Sequence, residues 1–284
     1  MKKLLLISLC LAVFTAFAQS GDSSEKLLTS TEWINENLDY LRFDNNIAIF
    51  NFDNTKQVVN FDLNKKTLSF KVNYRVAGME TKTEEFTFKI KELRKNKLIL
   101  EPLVESEANP DNYKKLNIKP LTKEKQYILY NRGHIMERTN FQKITFHAST
   151  CYGTCPSFSV EINRDGTVFY KGIQYTSPYI GYYVGQLSKE EIYSLRKILN
   201  RSQLENIKEK WHQQSEPNNT PRYNYIIELD KGEKFYLNTN DQHPVLDRLS
   251  QYIRSITEKA DLQKAEGMHE FEQSPIDKYK VQQF

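Results

Sequence analysis

"CYGTCPSFSVEINRDGTVFYKG" (residues 151–172) sets the architecture of the second half of this 284-residue chain. Phe158, Val160 and Ile162 alternate with Ser159, Glu161 and Asn163, the two-residue period of a strand with one buried face. Asp165-Gly166 supplies a tight turn, since both residues tolerate the positive φ of a two-residue hairpin. "TVFYKGI" (167–173) then returns beside the first strand. Upstream, "KITFHAS" (143–149) reads as a further strand leading into the cysteine loop. The fragment therefore predicts an antiparallel sheet.

Working outward toward the C-terminus, a tyrosine-rich run holds Tyr175, Tyr179, Tyr182 and Tyr183, punctuated by Pro178, Gly181 and Gly185. A well-marked helix follows. Ser188 and Glu191 form a capping box, Leu187 and Ile192 a hydrophobic staple, and Ile192, Leu195, Ile198 and Leu199 a buried stripe. "RYNYIIELDKGEKFYLN" (222–238) reads as a second hairpin turning at Lys231-Gly232. A last helix starts at Pro244, with Val245, Leu246, Leu249, Tyr252, Ile253 and Ile256 facing inward. Residues 259–284 are polar and show no core face, as expected of a mobile tail or an exposed helical extension. The expected fold of residues 142–258 is α+β: an antiparallel sheet with two helices.

Working outward toward the N-terminus, residues 27–103 read as short strands joined by turn residues. Leu68, Phe70, Val72, Tyr74 and Val76 share one face, as do Phe86, Phe88 and Ile90, with Lys, Thr and Asn opposite. One-faced strands in succession predict an antiparallel meander, and closure into a barrel would remove its edges. Residues 104–141, polar and containing one strand ("YILYN"), read as the connecting segment between the domains.

The first residues, "MKKLLLISLCLAVFTAFAQS", have the layout of a secretory signal. Lys2 and Lys3 precede an apolar run from Leu4 to Phe14, and Ala16-Phe17-Ala18 offers a small-x-small cleavage site. Residues 1–18 are therefore expected to be removed near Ala18, giving an exported protein, periplasmic or extracellular. Leu9 is too bulky for Cys10 to be a lipid-attachment site. Cleavage removes two of the chain's 40 basic residues and none of its 36 acidic ones, leaving a charge of about +2. Such a balance, with basic and acidic residues interspersed, excludes a nucleic-acid footprint. No later apolar stretch is long enough for a transmembrane segment.

Cleavage also leaves only Cys151 and Cys155, and an even pair in an oxidising compartment favours a disulfide. The Cα atoms of a disulfide lie within about 7 Å, so the loop must fold back. Gly153 is expected to supply a positive φ, and Pro156 to start the next strand without needing a ladder donor. Three rival readings stand behind this one. A redox pair normally has two intervening residues and a following helix, whereas here there are three and a strand. A metal site would use His147 in His-x3-Cys-x3-Cys, but the segment lacks a helix to align it and a fourth ligand. A nucleophile would pair with His147 or His243 and would need a free thiolate beside a cysteine able to trap it. His134, His212, His243 and His269 are otherwise read as single surface residues. No G-x-S-x-G, Gly-rich phosphate loop or H-E-x-x-H motif is present. No catalytic residue, metal or cofactor is therefore expected.

Two resemblances add to this reading. "LTSTEW" (28–33), the "YLRF" strand and "FTFKIKELRKNKLIL" (86–100) are similar to the small lipocalin-like domains of exported bacterial proteins, with Thr31 where that family has glycine. The resemblance implies a barrel with a possible apolar cavity, although Trp33 and the inward Phe residues read first as core. The Cys-Tyr-Gly-Thr-Cys-Pro core, the Asp-Gly hairpin and "GYYVGQLSKEEIYSLRKIL" (181–199) resemble an exported bacterial family, domain of unknown function 6438, over residues 142–258. That family implies no activity. The expected function is binding without catalysis, of a small apolar ligand or an envelope protein, with a thiol-redox or cysteine-dependent enzyme using Cys151 and Cys155 as the alternative. Candidate ligand-binding residues are Tyr152, Tyr170, Tyr182, Tyr183 and Trp33, because aromatic side chains, and tyrosine above all, join a broad apolar face to a hydrogen-bonding tip.

Overall fold

The computed structural model describes residues 23–52, 55–75, 81–103, 124–135, 139–211, 220–230 and 232–273. The expected signal, residues 1–18, lies outside them, as do most of the connecting segment and the last eleven residues. The chain divides into two compact units, Met1–Ile135 and Met136–Phe284.

In the first unit a short helix α1 (23–29) precedes eight strands. They are β1 (Trp33–Ile34), β2 (Tyr40–Asp44), β3 (Ile47–Phe52), β4 (Thr55–Asn64), β5 (Thr67–Arg75), β6 (Thr81–Arg94), β7 (Lys97–Pro102) and β8 (Tyr127–Asn131). Each pairs antiparallel with the next, and β8 pairs with β1 to close the barrel. The predicted alternation is what fills it. Leu68, Phe70 and Phe88 are fully buried and Ile90 nearly so. The expected partners Tyr74 and Val76 lie outside the described side chains. Between Ile90 and Glu92 the β6–β7 register shifts, a bulge that lets β6 bend around the barrel.

"YILYN" is β8 and belongs to the barrel, not to the connection. Its alternation, with Tyr127 and Leu129 buried and Ile128 and Tyr130 exposed, matches that of the other barrel strands. Only two residues of β1 meet β8, so the seam needs help. Arg132 N–H donates to the Glu32 carbonyl at 2.8 Å, and the Arg132 guanidinium pairs with the Glu32 carboxylate, both side chains largely buried. Asn131 adds a side-chain bond to the Lys95 carbonyl at 2.8 Å.

The second unit is a seven-stranded sheet of order β14-β13-β9-β10-β11-β12-β15, antiparallel throughout. Its strands are β9 (Phe141–Ala148), β10 (Ser157–Asn163), β11 (Thr167–Gln174), β12 (Gly181–Gln186), β13 (Tyr223–Leu229), β14 (Lys234–Thr239) and β15 (Gln263–Lys264). Between β12 and β13 the chain forms α2 (Lys189–Leu199) and α3 (Leu204–Lys210); after β14 it forms α4 (Asp247–Arg254) and α5 (Ile256–Lys259). Ser188 caps α2 as predicted, its hydroxyl accepting from the Glu191 N–H at 3.2 Å. Both expected helical runs are present among the described residues, and α3 is added between them. The run from Pro244 opens as a 3-10 turn before α4 and breaks again at Ser255. The α3 helix carried no capping signal, since its N-cap is Gln203 in the left-handed region.

One sheet face is apolar. It buries Ile144, Phe146, Phe158, Val160, Ile162, Val168, Tyr225, Ile227 and Phe235. Fully burying a side chain of this size contributes about 1.5–3 kcal/mol. Helix α4 lies over this face, with Ser250 and Arg254 across from Phe158 and Tyr223, and the Tyr252 hydroxyl ties α4 to α2 by donating to the Glu191 carbonyl at 3.0 Å. Gly166 turns β10 into β11 at φ 90°, while Asp165 holds the turn by accepting from the Thr167 N–H at 2.9 Å. At Gly172 a Cβ would sit 1.8 Å from the Tyr179 carbonyl oxygen, so only glycine lets the 175–180 turn fold back onto β11.

Candidate functional site

The cysteine loop joins β9 to β10 and is pinned at its base. Ser149 N–H donates to the Arg222 carbonyl and its hydroxyl accepts from the Arg222 N–H, at 2.9 and 2.8 Å. Ser157 Oγ donates to the Ala148 carbonyl at 3.1 Å. Between these clamps Cys151 and Cys155 are bridged, with Cα atoms 5.6 Å apart. The fold-back does not use Gly153 in the expected way. Its φ is not positive, and a Cβ there would meet only the Cys151 sulfur at an ordinary 3.7 Å. The bridge and the two serine clamps bend the chain instead.

A cleft of about 570 Å³ opens beside the bridge. Cys155 and Pro156 form one wall, Phe158 and Tyr223 the floor, and Ser250, Arg254 and Glu258 of α4 and α5 the far side. The floor belongs to an aromatic ladder running across the strands at this end of the sheet. Tyr223 stacks on Phe146 at 5.8 Å, Phe146 meets Phe158 at 5.7 Å, and Phe158 stacks on Tyr170 at 5.6 Å. Tyr170 continues to Tyr183 and Tyr179, whose own centroids are 5.4 Å apart. Beneath the lining, the buried Tyr225 Oη donates to Gln242 at 2.8 Å, and Gln242 donates to Asp247 at 3.1 Å, the last two lining the cleft. Burial pushes the Tyr225 phenol well above its ordinary range and Tyr170 up to about 12, so both remain protonated donors at neutral pH.

The candidate tyrosines separate. Tyr170 is buried in the ladder and Tyr183 half-buried beside it. Tyr182 points to the opposite sheet face, with the Lys171 ammonium 5.0 Å above its ring. Tyr152 is 94% exposed at the loop tip. Trp33 lies in the barrel, fully buried, with Nε1–H donating to the Leu28 carbonyl at 3.0 Å. It packs among Leu41, Phe50, Phe52, Phe88 and Tyr127 in one apolar cluster, a place in the core rather than at a surface. Tyr223, Arg254 and Glu258, which sequence reasoning missed, line the cleft. Their only signal was indirect: Tyr223 opens the second hairpin, and Arg254 and Glu258 are polar positions four apart at the end of the last helical run.

Of the histidines read as surface residues, His134 is exposed, His212 lies outside the described residues, and His243 is fully buried, its Nδ1 accepting from the Val245 N–H at 3.1 Å. His147 lies on the sheet face opposite the cleft, 2.8 Å from Ser159 Oγ, and His269 stacks on Phe169 there. No group of three metal-ligating side chains occurs among the described residues. No helix among them is long and apolar enough to cross a membrane.

Residues 142–257, which run from β9 into α5 and include the cysteine loop, match the family described as Domain of unknown function (DUF6438). No curated protein and no solved structure matches the chain.

Proposed function

We propose that the protein is exported and acts by binding rather than by catalysis, with the cleft beside the 151–155 bridge as its ligand site. The observation that carries this is the pairing of an aromatic floor, Phe158 and Tyr223, with the charged and hydroxylic wall of Ser250, Arg254 and Glu258. Such a site suits a polar molecule with one apolar face, which stacks on the rings while its hydroxyl or amide groups meet the wall. The disulfide fixes the wall nearest the loop, and pre-organisation of this kind limits the ordering cost of binding. The barrel interior, filled by a chain of ring contacts from Phe70 through Phe50 and Phe52 to Tyr127, supports a scaffold role for the first unit in place of an apolar-ligand carrier.

Saturation-transfer NMR on the mature chain with a panel of mono- and disaccharides tests the reading. We expect enhancements that disappear in Tyr223→Ala and Arg254→Ala. Enhancements that persist in both variants, or none from any panel member, would sink it. Thiol titration separates it from the redox alternative: no free thiol and resistance to mild reductant favour binding, whereas two reactive thiols favour the enzyme.

A further inference from the structure

The second face of the C-terminal sheet is polar, yet it is not open to water. Thr145 on β9 and Ser159 and Glu161 on β10 point to it and are each less than 8% exposed. What covers them is the chain's own segment 265–273, which reads as a polar tail in the sequence. It leaves the sheet edge where β15 pairs with β12, and Ala265 N–H donates to the Tyr182 carbonyl at 2.9 Å. It then bends at residues 266–267 and crosses the face without regular secondary structure.

Its contacts are those of a ligand more than those of a core element. The His269 ring lies flat on Phe169, centroids 3.9 Å apart, with Nε2 at 3.3 Å from Glu161 Oε1, an ion-pair distance without hydrogen-bond alignment. Phe271 sits edge-on to His269 and to His147. The Glu272 carbonyl is 2.8 Å from His147 Nε2, and the ring's other nitrogen is 2.8 Å from Ser159 Oγ. The Glu272 carboxylate sits between Lys234 at 2.6 Å and Lys143 at 3.0 Å. Meanwhile Met268 is 86% exposed and Glu266 and Glu270 face solvent, so the segment buries little apolar surface of its own. Segments held this way sit at the low end of local stability. The face residues fall within the matched 142–257, and the covering segment falls beyond it.

We propose that this face is a peptide-binding site. Its ligand is an extended segment carrying two rings and then a carboxylate in the spacing of His269, Phe271 and Glu272, and residues 265–273 are its resident, displaceable occupant. Phe169 and Glu161 read the first ring, His147 reads the backbone, and the two lysines read the carboxylate. A partner protein presenting such a segment would gain this seat by displacing the tail. The site is on the sheet face opposite the cleft and does not rest on the reading of that cleft.

The test uses the full mature chain with His269→Ala and Glu272→Lys, which removes the ring stack and places a third lysine against Lys143 and Lys234. A fluorescent synthetic peptide of residues 262–273 is titrated against it by anisotropy. We expect saturable binding, at least about tenfold tighter than to the wild-type chain, because the tethered tail competes at high effective concentration. A peptide carrying Glu272→Lys should lose binding to the altered chain. Absence of binding by the altered chain, or equal binding to both chains, overturns the proposal. Amide exchange on the wild-type chain gives an independent reading. The Ala265 amide should exchange far faster than that of Val160 in β10; equal protection would make the segment a fixed part of the fold and defeat the idea.

Discussion

The barrel and the C-terminal sheet are both antiparallel, yet they manage their polar groups and edges in opposite ways. In the barrel, pairing of β8 with β1 leaves no strand without a neighbour, and the inward residues form one cluster around Phe50, Phe52, Phe70 and Phe88. The sheet stays open, with β14 at one edge and the two-residue β15 at the other. Its apolar face lies under helices and its polar face under the chain's own tail. Closure consumes the surfaces on which recognition would otherwise occur. An open sheet keeps them, and both candidate binding sites of this protein lie on it.

The comparison can be broken where it is strongest. The chain has two tryptophans, Trp33 in one unit and Trp211 in the other, so each unit has its own reporter once the other is changed to phenylalanine. Phe50→Ala should destabilise the barrel by about 3–5 kcal/mol in urea unfolding, because it leaves a cavity among stacked rings. The Trp211 transition should stay in place, and a matching shift there would mean the two units unfold together. Arg132→Met should cost a comparable or slightly smaller amount, about 3–4 kcal/mol, by leaving Glu32 buried without its partner. Adding Glu32→Leu should recover most of the loss. If the double variant stays as unstable as the single one, the ion pair is not what secures the seam.

Smaller effects test the sheet. Cys151→Ser with Cys155→Ser should lower its stability by only about 2 kcal/mol, since the bridge closes a short loop. The measurement is again urea unfolding, now read by Trp211. A loss several times larger would show that the bridge holds up more than its own loop. The tail should respond to acid with little change in global stability. Burial alone would raise the Glu272 carboxyl, but its bonds to Lys234 and Lys143 hold it below the ordinary range. A carboxylate with a depressed folded pKa contributes its stabilisation above the unfolded value, about 4.3, and loses it as pH falls through the folded one. His147, His269, Glu161 and Glu228 share the face or its lysines, so the Glu272 contribution is read as the difference from Glu272→Gln: that difference in Ala265 amide protection should vanish as pH falls below about 4. Protection that is unchanged in acid would remove Glu272 from the list of anchors.

What could be read from the linear chain was whatever depends on near neighbours. Alternation along 67–72 and 86–90 identified barrel strands, Ser188 with Glu191 marked the start of α2, and Asp165-Gly166 marked the hairpin. The four-residue cysteine spacing, read together with the layout expected of an export signal, pointed to the bridge. Each is a local preference of backbone or solvent, and local preferences act whatever the rest of the chain does. The cleft was not legible in this way, because its floor comes from β10 and β13 and its wall from α4 and α5. Nor was the membership of "YILYN" in the barrel, since its partners are β7 and, nearly a hundred residues upstream, β1. The tail shows the limit most clearly. Its polarity gave residues 259–284 no core to join, and that reading of composition is sound. Only the folded sheet, by bringing Lys143, His147, Glu161, Phe169 and Lys234 from four strands onto one face, supplies the charges and rings that hold it. Solvation and hydrogen-bonding rules decide which segments pair; the assembled tertiary structure decides what a polar segment finds to bind.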